Sequence, residues 1–159
     1  TDGINSITFT NSNTGYAVGR FGAIFKTVDA GVTWIQMNSG TTSHLSKVLF
    51  TDSNIGYISG SNGTILKTTN AGINWSALST GVTEHFSSIF FLNAATGYVI
   101  SYSGGTVRKT TDGGATWSAP VFISTSYLNS VFFTDANNGY IATDAGHIYK
   151  TINGGQHLD

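Results

Sequence analysis

The sequence predicts an all-β protein, a β-propeller built from four-stranded antiparallel blades, and three observations support this prediction. A nine-residue motif that begins with Lys-Thr recurs at residues 26–34, 67–75 and 109–117, with a broken copy from residue 150. Gly-Tyr pairs recur about every 41 residues, at 15–16, 56–57, 97–98 and 139–140. No segment shows helical periodicity. Four short strands in a repeat of this length are typical of a propeller blade.

Each repeat can be divided into four strands, A to D, in the same order. Strand A alternates apolar and polar residues, at 4–9, 45–50, 86–91 and 128–133, as expected of a half-buried strand. The Gly-Tyr pair begins strand B, a Gly-containing turn leads to strand C, and the Trp of the motif begins strand D at 34–37, 75–78 and 117–121. The predicted blade repeats are 4–44, 45–85, 86–127 and a partial repeat at 128–159.

The fourth repeat departs from this pattern. His157 and Leu158 stand where the other copies have Thr-Trp or Asn-Trp, so we expect its outer strand to be missing. Either the chain is part of a longer propeller, or another chain completes the sheet. An unpaired edge on a Val-, Ile- and Phe-rich sheet favours association, and we therefore expect self-association that completes the propeller.

The composition limits the classes of function. The chain has 159 residues, 40% hydrophobic and 13% aromatic, which is enough for one domain with a sizeable core. Only 9% are charged and the net charge is −1, so no basic surface for nucleic acid is expected. No apolar run is long enough to span a bilayer. The absence of cysteine excludes disulfides and leaves the redox compartment open. The Ser-, Thr-, Asn- and Gly-rich, charge-poor composition favours a secreted or periplasmic bacterial protein.

The recurring motif resembles the Asp-box, or BNR repeat, Ser/Thr-x-Asp-x-Gly-x-Thr-Trp. Residues 27–34 and 110–117 match it fully, 68–75 substitutes two Asn residues, and the fourth copy matches only as far as Gly155. The whole repeat resembles the Ycf48-like propellers, whose architecture is shared with sialidases, sortilin-type receptors and some xyloglucanases. This resemblance implies a propeller fold and a role in photosystem II assembly, a role associated in that family with an arginine-rich surface. The chain has two arginines, Arg20 and Arg108.

The motif itself is interpreted as structural. An Asp or Asn can accept a hydrogen bond from the backbone N–H two residues on, Gly adopts positive φ at low cost, and Trp packs between blades. The alternative is that Asp29, Asp112 or Trp34 contacts a ligand. The predicted structural residues are Asp29, Gly31, Trp34, Asn70, Gly72, Trp75, Asp112, Gly114, Trp117, Asn153 and Gly155.

We expect no enzymatic activity, cofactor or metal. A sialidase site, as the resemblance implies it, needs an arginine triad and a Tyr/Glu pair, and this chain has two arginines and one glutamate, Glu84. A glycoside hydrolase needs two acids across a cleft, whereas Asp29, Asp52, Asp112 and Asp135 occupy repeated turn positions. No nucleophile-elbow motif or calcium loop is present.

The candidate binding residues come from topology. In a four-strand meander the B–C and D–A loops lie on one face, around the mouth of the central channel, and these loops carry the residues that differ between repeats. The candidates are Arg20, Phe21, His44, His85, Tyr102, Tyr127 and Asp144. Alternatively, the two histidines are ordinary exposed loop residues that match because the repeats arose by duplication; a two-histidine metal site is less favoured.

These observations favour a non-catalytic scaffold for protein interaction or complex assembly. The alternative is a carbohydrate-binding lectin or a glycoside-hydrolase-related propeller segment, in which Phe21, Tyr102 and Tyr127 would stack on sugar rings. A third possibility is that the role requires blades outside this chain. The expected partner is thus a protein or a glycan.

Overall fold

The computed structural model describes residues 3–157 and contains four antiparallel sheets, which confirms the predicted propeller architecture. Each sheet is one blade, numbered in chain order. Blade 1 contains β1 (Ile4–Phe9), β2 (Gly15–Gly19), a 3-10 turn (Arg20–Gly22), β3 (Ile24–Thr27) and β4 (Ile35–Met37). Blade 2 contains β5 (Leu45–Phe50), β6 (Gly56–Gly60), β7 (Ile65–Thr68) and β8 (Ser76–Leu78).

The second half of the chain repeats this arrangement. Blade 3 contains β9 (Phe86–Phe91), β10 (Gly97–Ser101), β11 (Thr106–Thr110) and β12 (Val121–Phe122). Blade 4 contains β13 (Leu128–Phe133), β14 (Gly139–Thr143) and β15 (Ile148–Thr151). Within the described residues blade 4 thus has three strands, as predicted from its broken motif. Leu158 and Asp159, part of that prediction, lie outside the described residues.

The outer strand of blade 3 differs from the prediction. Residues 117–121 were expected to form it, but the strand covers only Val121–Phe122. Pro120 has no N–H and cannot donate to β11, so regular pairing begins after it. Before Pro120, a side-chain hydrogen bond replaces part of the strand pairing, because the Lys109 N–H donates to Ser118 Oγ at 3.0 Å.

The Gly-Tyr pair at the start of the second strand in each blade is explained by packing. A Cβ on Gly15 would lie 2.7 Å from the Phe9 ring of the same blade, so only glycine fits there. The adjacent Tyr16 is fully buried and stacks on Phe50 of blade 2, with ring centroids 4.1 Å apart. The same stacking joins Tyr57 to Phe91 and Tyr98 to Phe133, at 3.7 and 3.6 Å.

Neighbouring blades are also joined by a recurring polar contact, which we call the inter-blade clamp. The Tyr16 hydroxyl and Lys26 Nζ of blade 1 both donate to the Ala71 carbonyl of blade 2, each at 2.8 Å. The ammonium group lies 5.5 Å from the centre of the Tyr16 ring, within range of a cation–π interaction. Equivalent clamps join Tyr57 and Lys67 to the Gly113 carbonyl, and Tyr98 and Lys109 to the Gly154 carbonyl.

The acceptor of each clamp lies in the motif that resembles an Asp-box, here called the signature turn. In blade 1, Asp29 accepts hydrogen bonds from the Thr33 N–H at 2.8 Å, the Thr33 hydroxyl at 2.6 Å and the Thr27 hydroxyl at 2.7 Å. The prediction that Asp29 accepts a hydrogen bond from the N–H two residues on is therefore wrong. The turn instead brings the N–H of Thr33, four residues on, to the carboxylate. Gly31, at φ 88, takes the predicted positive-φ position.

The broken fourth copy of the motif still forms this turn. The His157 N–H donates to Asn153 Oδ1 at 3.0 Å, as the Thr33 N–H does to Asp29. The Gly155 N–H donates to the Thr151 hydroxyl, again as in the complete copies. The Thr-Asp/Asn-Gly part of the motif thus forms the turn without Trp.

The clamp predicts that glycine in the signature turn matters most where a preceding blade packs on it. A Cβ on Gly72 would lie 2.6 Å from the Tyr16 ring, whereas a Cβ on Gly31 would have no neighbour closer than 3.7 Å. Both residues have positive φ, so alanine carries similar backbone strain at either position. We expect Gly72→Ala to lower the free energy of unfolding by about 1–3 kcal/mol more than Gly31→Ala, as measured by urea denaturation in dilute solution. Equal losses would show that Tyr16 does not constrain this turn.

The signature turn also predicts a pH dependence of stability. Hydrogen bonds from Thr116, and then from Thr110, lower the pKa of Asp112 from 3.8 to about 2. The unfolded chain therefore binds a proton before the folded chain does, and stability falls as the pH drops from about 4 through 2. Asp112→Asn should flatten this part of the stability profile, and Asn70→Asp, which creates a titrating group in blade 2, should steepen it. Denaturant titrations from pH 2 to 6 measure the free energy of unfolding of both variants. A pH dependence equal to that of the wild type in both would contradict the lowered pKa of Asp112.

Candidate functional site

The B–C and D–A loops of the blades are joined by the same backbone hydrogen bond in all four repeats. The Arg20 N–H donates to the Gly3 carbonyl at 2.9 Å, and aligned bonds run from Ser61 to His44, Tyr102 to His85 and Asp144 to Tyr127. The two loop types therefore share a face, as the meander topology predicts. The residues that vary between repeats occupy both sides of this bond.

A groove of about 490 Å³ lies on this face, and we call it the channel-mouth groove. It is lined by Asn5, Arg20, Phe21, His44, Ser46, His85, Ser87, Tyr102 and Asn129. Five of the seven candidate residues are among them. The structure thus brings together residues from four loops of three blades, and their role in binding remains a prediction.

The remaining two candidates extend the site beyond the groove. Tyr127 stacks on Tyr102 with ring centroids 4.6 Å apart and planes 2° from parallel. Asp144 accepts a hydrogen bond from the Tyr127 N–H at 3.1 Å, which fixes the loop that carries the ring. Tyr102 in turn contacts His85, at a centroid distance of 5.4 Å. His85, Tyr102 and Tyr127 therefore form a continuous row of rings along the rim.

Phe21 is held in an unusual conformation at the other end of the groove. It has φ 56, in a region that bulky side chains rarely occupy, and it is 66% exposed. The aligned residue of blade 2 is Asn62, a residue type that tolerates this conformation well. The Phe21 ring contacts the His44 ring at 5.2 Å, and its N–H donates to His44 Nδ1 at 3.4 Å. A strained, exposed aromatic residue is a candidate ligand contact.

The charge of the groove is set by Arg20. Arg20 is exposed and forms no ion pair within residues 3–157, whereas Arg108 pairs with Glu84 at 3.2 Å. Among the described residues, no carboxylate lines the groove. The groove therefore offers one unpaired guanidinium group beside neutral amide, hydroxyl and aromatic groups, a combination suited to a ligand that carries a carboxylate.

His85 contributes a polar contact within the groove. Its Nε2 lies 3.0 Å from Ser46 Oγ. Although His85 keeps much of its surface exposed, partial desolvation in the groove lowers its pKa below the ordinary value of 6.5, and the nearby His44 lowers it further. His85 is thus neutral at neutral pH. Within residues 3–157, no cluster of three or more His, Asp or Glu side chains is placed to hold a metal ion.

Four groove residues were missed by the sequence analysis: Asn5, Ser46, Ser87 and Asn129. They share one aligned position, the second residue of the first strand in each blade. Asn5 donates to the Leu45 carbonyl at 2.8 Å, and Ser87 donates to the Leu128 carbonyl, so both reach the next blade. The available signal was that the second position of this strand is Asn or Ser in all four repeats.

The fold and the groove define the class of protein: a repeat β-propeller whose channel mouth carries polar and aromatic loop residues. The family model described as photosynthesis system II assembly factor YCF48 matches residues 1–123 and 34–159, which together span the chain. The chain belongs to this family of photosystem II assembly factors. None of the curated proteins compared with the chain matches it.

Solved structures agree with this fold. A structure described as YCF48 bound to D1 peptide is similar over 100% of this chain and 82% of that one, with 17% identity and a TM-score of 0.67. YCF48 from Cyanidioschyzon merolae is similar over 98% of this chain and 55% of that one, with 21% identity and a TM-score of 0.76. The GH74 enzyme of Niastella koreensis is similar over 99% of this chain and 30% of that one, with 20% identity and a TM-score of 0.80. The chain thus spans about half of the Cyanidioschyzon merolae protein and under a third of the enzyme.

Among the described residues, no helix has the length and apolar character needed to cross a bilayer.

The environment of His85 predicts its titration. Because desolvation is the larger cause of its lowered pKa and His44 the smaller, His44→Gln should raise the midpoint of His85 but leave it below 6.5. Because the unfolded chain takes up the proton first, His85 should also cost stability as the pH falls from about 6.5 through its folded midpoint. NMR titration of the His85 ring protons tests the first expectation and denaturant titration the second. A midpoint at or above 6.5 in the wild-type chain would contradict the partial desolvation of this ring.

Proposed function

We propose that this chain is a non-catalytic scaffold that binds an extended segment of a protein partner in the channel-mouth groove. The observation that carries the proposal is the exposed Arg20, which has no carboxylate partner within residues 3–157 and lies beside a strained, exposed Phe21. A charged anchor next to an aromatic anchor is a common basis for peptide recognition. The groove supplies both.

The chemistry of the groove indicates what it would bind. Arg20 suits a side-chain or terminal carboxylate, with which a guanidinium group can form two hydrogen bonds. The exposed Phe21 ring suits an apolar or aromatic side chain. Asn129 and the serine hydroxyl groups along the groove suit peptide N–H and C=O groups. An acidic, partly apolar peptide in an extended conformation meets all three requirements.

The family supports a protein partner. The similar structure described as YCF48 bound to D1 peptide shows that a propeller of this family can hold a peptide. We extend this to the present chain and propose that it binds a segment of a photosystem II subunit during assembly. The D1 peptide is therefore the first probe to use.

The carboxylate side chains within residues 3–157 support a scaffold rather than an enzyme. Asp29, Asp52, Asp112 and Asp135 accept hydrogen bonds within their own turns. Glu84 pairs with Arg108, and Asp144 is bonded to the Tyr127 N–H. A glycoside hydrolase requires an acid of raised pKa facing a second carboxylate across a cleft. The pKa shifts of Asp29, Asp112 and Asp135 are in the opposite direction, because hydrogen bonds stabilise the charged form.

Carbohydrate binding is the second candidate function, and the rim aromatics favour it. Tyr127 is 45% exposed, and the parallel Tyr102–Tyr127 stack presents a flat ring face of the kind that sugars stack on. The similarity to GH74 enzymes shows only that the same fold occurs in proteins that act on glycosides. In this case Tyr127 would be the principal contact.

Binding of a fluorescently labelled D1 peptide, measured by anisotropy, tests the proposal. Arg20→Gln should weaken binding about tenfold or more, because a hydrogen bond to a charged group contributes about 1.5–3 kcal/mol. Phe21→Asn should also weaken binding, yet it should stabilise the fold by about 1 kcal/mol, because Asn tolerates this positive φ. Lys47→Gln, which removes an exposed cation outside the groove, is the matched control and should leave affinity unchanged.

The outcomes separate the two candidate functions. Peptide binding that is lost in Arg20→Gln and retained in Lys47→Gln supports the scaffold. Absence of peptide binding, together with glycan-array binding that is lost in Tyr127→Ala, would overturn it in favour of carbohydrate recognition. Equal weakening by Arg20→Gln and Lys47→Gln would show a nonspecific charge effect and would contradict the assignment of the groove.

A further inference from the structure

A second groove adjoins the channel-mouth groove on the same face of blade 1, and we call it the rim groove. It has a volume of about 380 Å³. Phe21 lines both grooves, so its exposed ring separates them, and a ligand that leaves the channel-mouth groove past this ring enters the rim groove. The rim groove is lined by residues of the B–C turn, the outer strand β4 and the D–A loop, which include Phe21, Gly22, Gln36, Asn38, Ser39 and Thr41.

The backbone around the rim groove is held by close contacts within blade 1. The Gly22 N–H donates to the Ser43 carbonyl at 2.8 Å, and a Cβ on Gly22 would collide with the Thr41 carbonyl oxygen. The hydroxyl of the buried Ser39 donates to that same Thr41 carbonyl at 3.0 Å. The groove is therefore preformed, and binding requires no ordering of these loops.

Two side-chain amides in the rim groove are available to a ligand. Gln36 is exposed, and its side chain forms no hydrogen bond within residues 3–157. Asn38 is also exposed; its Oδ1 accepts from the Gly40 N–H at 3.0 Å, whereas its NH₂ group has no partner in the same part of the chain. Because a primary amide both donates and accepts, such groups match the N–H and C=O groups of an extended peptide. Among the described residues, no charged side chain lines this groove.

Blade 2 provides an internal comparison, because its loops follow the same path. The Gly63 N–H donates to the Glu84 carbonyl at 2.7 Å, as the Gly22 N–H does to the Ser43 carbonyl. The side chains at the aligned positions differ, since blade 2 has Asn62, Ala77 and Ser79 where blade 1 has Phe21, Gln36 and Asn38. Of these two blades with the same loop path, only blade 1 combines an aromatic ring with two long-reaching amides.

The exposure of the rim groove does not depend on what packs beside blade 1. Blade 2 packs between blade 1 and blade 3, and yet its aligned residues Asn62, Ala77 and Ser79 remain exposed. A blade packed on either side of blade 1 would therefore leave the rim groove open to a ligand.

We propose that the partner segment held in the channel-mouth groove continues over Phe21 into the rim groove, where Gln36 and Asn38 bind its backbone. This inference rests on the proposed function, because it concerns the same partner. The recognised segment is an extended polypeptide with an acidic residue at Arg20, an apolar residue at Phe21 and an uncharged portion over the rim. A glycan fits the rim groove less well, because Phe21 is the only aromatic side chain that lines it among the described residues.

Anisotropy with the labelled D1 peptide tests the proposal by exchanging rim residues for those of blade 2. Gln36→Ala with Asn38→Ser should weaken binding about tenfold, and Gln36→Ala alone, which breaks no hydrogen bond of the described chain, about threefold. Both positions are exposed, so the variants should fold, as checked by circular dichroism. The matched control is Ser79→Ala, at the exposed position of blade 2 that aligns with Asn38, and it should leave affinity unchanged.

Spin-labelled peptides test the path of the segment. A nitroxide at one end of the bound D1 peptide should broaden the NMR signals of the Gln36 and Asn38 side-chain amides. A nitroxide at the other end should instead broaden the backbone amide signals of Ser87 and Asn129 in the channel-mouth groove. Rim signals that neither label broadens would overturn the proposed path.

The outcomes distinguish failure of this inference from failure of the proposed function. Binding that is weakened by Arg20→Gln but not by Gln36→Ala with Asn38→Ser overturns the inference alone. Absence of D1 peptide binding to the wild-type chain overturns both. Glycan-array binding that is lost in the rim double variant would assign the rim groove to a sugar and overturn the inference, as would equal weakening of peptide binding by Ser79→Ala.

Discussion

The inter-blade clamp is the interaction on which the rest of the structure depends. A tyrosine hydroxyl and a lysine ammonium group converge on one carbonyl of the next signature turn, and in the first clamp both distances are 2.8 Å. Burial raises the pKa of Tyr16 above 10.0, so its hydroxyl remains a donor at any ordinary pH. The clamp fixes the position of the turn, and the same tyrosine rings stack on the following blade. Blade spacing, and with it the channel-mouth groove, follows from this contact.

The sequence was sufficient to predict the blades but not the contacts between them. The Gly-Tyr pairs and the Lys-Thr motif predicted the strand order because each is a local signal repeated about every 41 residues. Lys26, the first residue of the motif in blade 1, contacts a turn that belongs to the next blade. That partner lies 45 residues along the chain. Local sequence patterns carry no information on such a pairing. The outer strand of blade 3 was also predicted too long, because Pro120 prevents regular pairing before Val121.

The candidate site was predicted in outline, because topology alone places the B–C and D–A loops together. The structure added the polar wall formed by residues such as Ser46 and Ser87, and the strained backbone of Phe21. Residue type does not predict this backbone strain, because Phe21 and Asn62 share a positive φ although one side chain is aromatic and the other a polar amide. The groove therefore combines repeated backbone geometry with side chains that are individual to each blade.

The most direct test of the clamp is a comparison of the same double substitution in two blades. Tyr57→Phe with Lys67→Met leaves the buried Gly113 carbonyl without its donors. The free energy of unfolding should then fall by about 1–3 kcal/mol. Tyr140→Phe with Lys150→Met, which removes a pair without an acceptor in the described chain, should change it by less than about 0.5 kcal/mol. Equal effects in the two blades would contradict the central role of the clamp.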